Sequence, residues 1–302
     1  MVSTKLLVLV GETASGKTDL AIRLAEKFNG EIICADSWTV RKGVNIGTAK
    51  PTAEEQARVP HHLLDVVEPD GDFTAAVFKR LALAKIEEIA SRGKLPIMVG
   101  GTGLYIDGVI YDFNFLPPAD PKLRNDLNSL DIPQLMALIK DMGIELGTVD
   151  IRNKRRLIRL VETNGAAQTR QPLRPNTLIL GLKTDRATLQ ARITARVDNM
   201  LTAGLETEAR DLVEQYGWHA EALKGVGYAQ WRGYFENQNS LQQTREMIIK
   251  ATLDLAKRQR TWFKRNKSIQ WFTTPVNWTA VVDLTTTFLN AKTSDMNQTL
   301  LQ

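Results

Sequence analysis

The chain has 302 residues, 43% apolar and 24% charged, with a formal net charge of +5. That composition excludes disordered and fibrous classes and leaves room for one large domain or two smaller ones around a well-buried core. The one cysteine, Cys34, excludes an internal disulfide and a cysteine-based zinc site, and it fits a reducing compartment. The longest early apolar run, residues 6–10, is too short for a secretion signal and far too short to span a bilayer. A soluble, cytoplasmic protein with no membrane contact is expected. The charge is unevenly placed. Residues 1–100 hold 13 basic and 13 acidic side chains, whereas residues 101–302 hold 26 and 21, so the whole excess lies in the later part. Such an asymmetry points to a polyanionic partner there, or to a solvated basic surface.

Residues 5–10 (KLLVLV) form a short apolar run ending at a glycine, the pattern of a buried strand. Residues 18–28 then place Leu20, Ala21, Leu24, Ala25 and Phe28 at helical spacing. Residues 31–35 (EIICA) predict a second strand, 73–90 a long helix closed by Arg92-Gly93, and 95–99 (LPIMV) a third buried strand running into Gly100-Gly101. Strands alternating with helices predict an α/β core with a parallel sheet flanked by helices. Near Pro117-Pro118 and Asp120-Pro121 the pattern changes. From there to Asn176 the segment is helical, polar and basic, and residues 177–182 (TLILGL) return to a strand. The expected organisation is a first part of the core over 1–116, a helical insertion over 117–176, and a mostly helical second part over 177–302. Helices are predicted over 188–201, 206–216 and 241–264, with a frayed polar tail.

Residues Gly11-Glu12-Thr13-Ala14-Ser15-Gly16-Lys17-Thr18 fit the P-loop pattern G-x-x-x-x-G-K-[ST], after a predicted strand and before a predicted helix. Glycines let backbone N–H groups turn toward phosphate oxygens, and the helix N-terminus adds its positive end. Lys17 reaches a terminal phosphate and the Thr18 hydroxyl is placed to ligate Mg²⁺. The third strand carries no acid where an ATPase of this class holds its metal, whereas the second strand ends in Asp36. A diphosphate-binding transferase fits this set at least as well as an ATPase.

Ligands of parallel α/β sheets bind at the carboxyl ends of the strands, where the P-loop, Asp36 and Thr102 all fall. Asp36 is a candidate base or metal partner, or else a turn cap. Thr102 is a candidate phosphate ligand. Arg196 and Arg258 each fall within an apolar helical stripe, which is costly unless the charge is paired or faces a cleft. One of them is expected to neutralise charge on a phosphate.

Two basic faces follow. Arg152, Arg155, Arg156 and Arg159 share one helical face at i, i+3, i+4, i+7 spacing, and residues 151–170 carry six bases against one acid. Lys250, Lys257 and Lys264 form a second stripe, and residues 245–267 carry eight bases against two acids. Nucleic-acid phosphate is the expected partner of these faces. His61-His62 and His219 give no ligand set. Trp38, following Asp36-Ser37, is placed to stack on a base or simply to pack.

Together these motifs resemble the tRNA dimethylallyltransferase (tRNA isopentenyltransferase) family. GETASGKT resembles its G-P-T-A-S-G-K-T opening. Asp36-Ser37 with Asn45-Ile46-Gly47-Thr48-Ala49-Lys50-Pro51 resembles D-S…D-I-G-T-A-K-P, and residues 99–105 resemble V-G-G-T-x-L-Y. Ala119-Asp120-Pro121 with Arg124, Arg156, Arg159 and Glu162 resembles its insertion, and Gly225-Val226-Gly227-Tyr228 and Ala256-Lys257-Arg258-Gln259 with Thr261-Trp262 its later blocks. The resemblance implies transfer of a dimethylallyl group from dimethylallyl diphosphate to N6 of the adenosine beside the anticodon of tRNA, with Mg²⁺ as cofactor. It implies that Asp36 takes the N6 proton, that Thr102 and Arg196 handle the diphosphate, and that the insertion grips the anticodon stem-loop. It further implies tRNA contacts at Asp36, Ser37, Trp38, Thr39, Thr102, Arg124, Arg155, Arg156, Arg159, Lys224, Gly227, Tyr228, Lys257 and Arg258. The chain departs from the pattern at Glu12, where the family has proline, and at Trp38, Thr39, Arg41, Asn45 and Asn153-Lys154. A P-loop small-molecule kinase using ATP and a non-catalytic RNA-binding P-loop protein are the competing readings. A monomer is expected.

Overall fold

The computed structural model describes residues 4–117, 120–166 and 169–291. Ala119 and the predicted polar tail beyond 291 lie outside the described residues. The chain divides into two compact units, one of residues 1–110 and 173–302, the other of residues 111–172. The second unit begins six residues before, and ends four residues before, the 117–176 segment that the proline pairs mark.

Unit one opens with β1 (Leu6–Gly11), whose six residues are all buried, as befits a central strand covered on both faces. It is followed by α1 (Lys17–Phe28), β2 (Gly30–Cys34), α2 (Ala53–Arg58), the two-residue β3 (His61–His62), α3 (Ala75–Ser91), β4 (Leu95–Gly100) and α4 (Gly103–Ile110). Caps set these boundaries. Thr74 accepts from the Val77 N–H at 3.3 Å, so α3 starts at residue 75 rather than 73. Thr52 and Glu55 close a capping box on the short α2.

The chain returns to unit one with β5 (Thr177–Lys183), preceded in sequence by α5 (Pro121–Ser129), α6 (Ile132–Asp141) and α7 (Lys154–Glu162) of unit two. Then come α8 (Arg186–Thr202), α9 (Leu205–Tyr216), a 3-10 turn (Glu221–Lys224), α10 (Trp231–Phe235), α11 (Leu241–Phe263), β6 (Ile269–Thr273) and α12 (Trp278–Asn290). All strand pairs are parallel, in the order β3-β2-β4-β1-β5-β6. The edge strands β3 and β6 were not anticipated. Two residues give no periodicity, and β6 carries mostly exposed side chains with no apolar run.

This order decides where the site lies. The P-loop leaves β1, Asp36 follows β2 and Thr102 follows β4, and β2, β4 and β1 are neighbours. Gly100 makes the approach of β2 and β4 possible, because a Cβ there would sit 2.0 Å from the Ala35 carbonyl oxygen. One apolar layer packs α1 and α12 against the sheet, around Leu7, Leu9, Leu24, Ile97, Leu180 and Val281. A second cluster joins α8, α9 and α11 around Val197, Leu212, Tyr228, Trp231 and Ile248.

Unit two has its own core of Leu127, Leu135, Ile139, Leu157, Ile158 and Val161. Its helices start at Asp120, Asp131 and Asn153, each accepting a backbone N–H of the first turn. Asn153 caps α7, so Arg152 lies before the helix and pairs with Asp150 instead of completing a four-arginine face. Arg159 donates to the Leu116 and Pro117 carbonyls at 2.8 Å and pairs with Glu162, whose side chain is 0% exposed. Arg124 pairs with the same carboxylate. Arg124 and Arg159 therefore hold unit two together, and the cations left exposed on α7 are Arg155 and Arg156.

Candidate active site

The P-loop bends sharply out of β1. Gly11 has φ +149°, and a Cβ on it would meet the Leu182 carbonyl of β5 at 2.8 Å. Positive φ at Ala14 (61°) and Gly16 (90°) curls the loop, the geometry that turns N–H groups inward for an anion. The Lys17 ammonium donates to the Glu12 carbonyl at 2.5 Å. Burial and the Arg196 charge pull the Lys17 pKa down to about 8, against the opposing pull of Asp36 and Glu12. The buried Ser15 hydroxyl has no hydrogen-bond partner among the described residues, an unspent donor inside the cradle.

A cavity of about 350 Å³ opens on this loop. Thr13, Lys17, Thr18, Asp36, Trp38, Thr39 and Arg196 line it, together with apolar Val197, Met200, Val226, Ile248 and Leu255. Its lining therefore combines cationic and hydroxyl groups with apolar side chains. Asp36 accepts the Trp38 N–H at 2.8 Å and the Thr39 N–H at 3.4 Å, both on Oδ1. The turn-cap role and a place on the cavity thus coexist in one side chain. Arg196 reaches from α8 to the Thr13 hydroxyl at 3.4 Å, and burial lowers its pKa against the opposing pull of the Glu55 charge. The buried Cys34 thiol also borders the cavity. Burial, and then the Asp36 charge, push it up to about 12, which makes it an inert thiol.

Thr102 behaves differently from the phosphate ligand expected. Its hydroxyl accepts the Ser37 backbone N–H at 3.0 Å and lies 3.4 Å from the Ser37 hydroxyl, so it fixes the segment carrying Asp36 and is not among the residues lining the cavity. Arg258 does not lie on a buried stripe. It is exposed on α11, and Arg196 is the arginine that faces the cavity. Tyr228 is 0% exposed and hydrogen-bonds Glu208 at 2.6 Å, which corrects its assignment as a tRNA contact. Lys224 pairs with Glu221 on the same 3-10 turn, Lys257 is exposed, and Gly227 borders the cavity. Trp38 also borders it, packed on Gly225.

Other residues were missed. Gln259 accepts the Thr13 N–H at 2.7 Å, and Arg260 grips the Glu12 carboxylate, so α11 holds the loop from behind. Glu208 accepts the N–H groups of Asn45, Ile46 and Gly47 at 2.9–3.0 Å, and so anchors the Gly47–Ala49 wall of the cavity. His61 lines the cavity and gives a hydrogen bond of 2.7 Å to the Val59 carbonyl, while burial lowers its pKa. No sequence spacing links Gln259, Arg260 and Glu208 to their partners, which lie up to 248 positions away. Among the departures from the family pattern, Arg41 is structural, donating to the Glu68, Pro69 and Gly71 carbonyls. Among the described residues no cluster of three or more His, Cys, Asp or Glu is placed to hold a metal. None of the described helices is long and apolar enough to cross a membrane.

Fold and cavity together place the chain among P-loop α/β proteins that hold a phosphorylated ligand at the carboxyl edge of a parallel sheet. The family model described as IPP transferase matches residues 39–266. A tRNA dimethylallyltransferase of Pediococcus pentosaceus is 41% identical over 89% of this chain and 90% of its own length. One of Anoxybacillus flavithermus is 40% identical over 89% and 90%. Among solved structures, the tRNA isopentenylpyrophosphate transferase of Bacillus halodurans superposes with a TM-score of 0.75 at 36% identity, covering 98% of both chains. A eukaryotic dimethylallyltransferase solved acting on tRNA gives 0.79 at 25% identity, over 95% of this chain and 80% of that one. The chain belongs to the IPP transferase family.

Proposed function

We propose that the protein transfers a dimethylallyl group from dimethylallyl diphosphate to N6 of the adenosine beside the anticodon in tRNA. The observation that carries this reading is the composition of one cavity. Lys17, Arg196 and the P-loop offer a diphosphate site, Asp36 offers a base, and Val197, Met200, Ile248 and Leu255 offer an aliphatic wall for a five-carbon chain. A kinase reading leaves that wall unused.

In the reaction the adenine N6 attacks C1 of the dimethylallyl group as the C1–O bond breaks. The bonding pair leaves with the diphosphate, and the N6 proton passes to Asp36 Oδ2, since both turn bonds end on Oδ1. Lys17 and Arg196 hold the negative charge that grows on the leaving diphosphate. Reaching this enclosed site requires the adenine to leave its stack.

The residues fit Mg²⁺. Thr18 and Asp36 supply hard oxygen atoms on the cavity, and the lack of a carboxylate cage among the described residues suits an ion that keeps waters and leans on phosphate oxygens. Mg²⁺ held by Thr18 would supply charge neutralisation on the diphosphate. The tRNA anticodon stem-loop is the partner, met by the exposed cations of α7 and α11, and the protein acts as a monomer. Incubation with tRNA and dimethylallyl diphosphate tests the reading. N6-dimethylallyladenosine and equimolar diphosphate are expected, and ATP consumption without a modified nucleoside would overturn it.

A further inference from the structure

The P-loop contains a carboxylate that the transfer reaction does not use. Glu12 is 3% exposed, directly follows Gly11, and lies within electrostatic reach of the Lys17 ammonium. An acid here is paradoxical, because the loop's ligand is an anion. Arg260 of α11 answers it with a two-pronged pair, one bond ending on Oε1 and the other on Oε2 at 2.8 Å. The neighbouring Gln259 takes the next backbone N–H, that of Thr13, at 2.7 Å. Glu12 is thus tied through its side chain while its own carbonyl holds Lys17 at 2.5 Å and accepts the Ser15 N–H at 3.3 Å.

We propose that Glu12 and Arg260 form a positioning pair that sets the affinity of the cradle for diphosphate. Arg260 cancels a carboxylate that would otherwise repel the donor, while the Glu12 carbonyl parks the Lys17 ammonium until a phosphate displaces it. The proposal rests on the reading of the cavity as a diphosphate site. Its sign structure separates it from simple bracing. A brace fails whichever end is cut, so Glu12→Gln and Arg260→Met would weaken binding alike. A charge pair beside an anion site responds with opposite signs. Arg260→Met exposes the carboxylate and repels the ligand, whereas Glu12→Gln leaves an uncancelled guanidinium and attracts it.

The test is calorimetric titration of inorganic diphosphate at pH 7 into the full chain and its variants, with circular dichroism to verify folding. Arg260→Met is expected to weaken binding roughly 10- to 30-fold, as for like charges near a protein surface. Glu12→Gln should tighten it, and the double variant should recover most of the loss. Arg260→Lys, which keeps the charge without the fork, should stay within a few-fold of the wild type even if Arg260→Met does not fold. In turnover assays the donor KM should follow these shifts while kcat moves little. Weaker binding in both single variants, or additive losses in the double, would overturn the proposal while leaving the diphosphate site intact. A wild-type chain that takes up no diphosphate would overturn both.

Discussion

The Thr102 hydroxyl accepts the backbone N–H of Ser37 at 3.0 Å, so the residue beyond β4 holds the residue that follows Asp36 beyond β2. The link spans two adjacent strands at the edge where the cavity opens. Thr102→Val removes the acceptor and keeps the shape. Loss of one such bond is worth about 1 kcal/mol, so the transfer rate should fall roughly fivefold. Thr102→Ser should restore it. Single-turnover transfer at saturating tRNA and donor is the measurement. A direct phosphate ligand would instead show up in the donor KM.

Asp36→Asn should reduce the rate ~10²- to 10⁴-fold, the usual contribution of a general base. The geometry makes the substitution clean. Asparagine keeps an Oδ1 for the Trp38 and Thr39 N–H groups, so the turn and the folded stability should be preserved. Only the capacity to take the N6 proton is lost. A rate within threefold of the wild type, at unchanged tRNA affinity, would return Asp36 to a purely structural role.

The parts of the molecule legible in the sequence are those whose cause is local. The P-loop spacing, the buried runs of β1, β4 and β5, and the position of Asp36 at a strand end are each carried by a few consecutive residues. The N-caps moved helix starts by two positions, as Thr74 and Asp185 show. Partnerships across the chain were illegible. Arg260 is one charge in a basic stretch until the fold brings Glu12 to it. Arg159 is one of four spaced arginines until Asn153 starts α7 and Glu162 captures it. The apolar stripe around Arg258 misled for the same reason. Helical spacing defines a face without saying which face meets the cavity.

Lys17 makes donor binding dependent on pH. Its ammonium titrates near 8 instead of near 10.5, because burial and Arg196 disfavour the charge. A diphosphate prefers the protonated form. Affinity for dimethylallyl diphosphate should therefore be level from about pH 7 to pH 8 and fall above it, by at most about tenfold per pH unit. The donor's phosphates are already ionised there, their last pKa being about 6, so the trend belongs to the protein. Folding stability without donor should move oppositely. The unfolded chain keeps its Lys17 proton up to about 10.5, so stability from this group rises between pH 8 and 10.5. Lys17→Ala should abolish transfer and remove both dependences. Titrations at pH 7 and 9.5, paired with thermal melts, check the two signs together.

The arginines of α7 should separate into two kinds. Arg155 and Arg156 are exposed on the helix, whereas Arg159 is committed to the Leu116 and Pro117 carbonyls and to the buried Glu162. If α7 meets RNA phosphates, replacing Arg155 and Arg156 with Ala should weaken tRNA binding and flatten its salt dependence. Each lost contact lowers the slope of log affinity against log salt by about 0.9 on duplex and 0.7 on single strand. Stability should hardly change, because no packed group is left unpaired. Arg159→Ala should do the reverse at first sight, destabilising the unit of residues 111–172 by roughly 1–3 kcal/mol, since a buried carboxylate loses one of its two guanidinium partners and two carbonyls lose a donor. Its effect on tRNA should then follow the melting of that unit, appearing near the shifted midpoint and vanishing well below it. Binding titrations at three salt concentrations, each at a temperature below the midpoint, distinguish the two. An unchanged salt slope for the Arg155/Arg156 double variant would make α7 a solvated face and move the RNA contact to the exposed cations of α11.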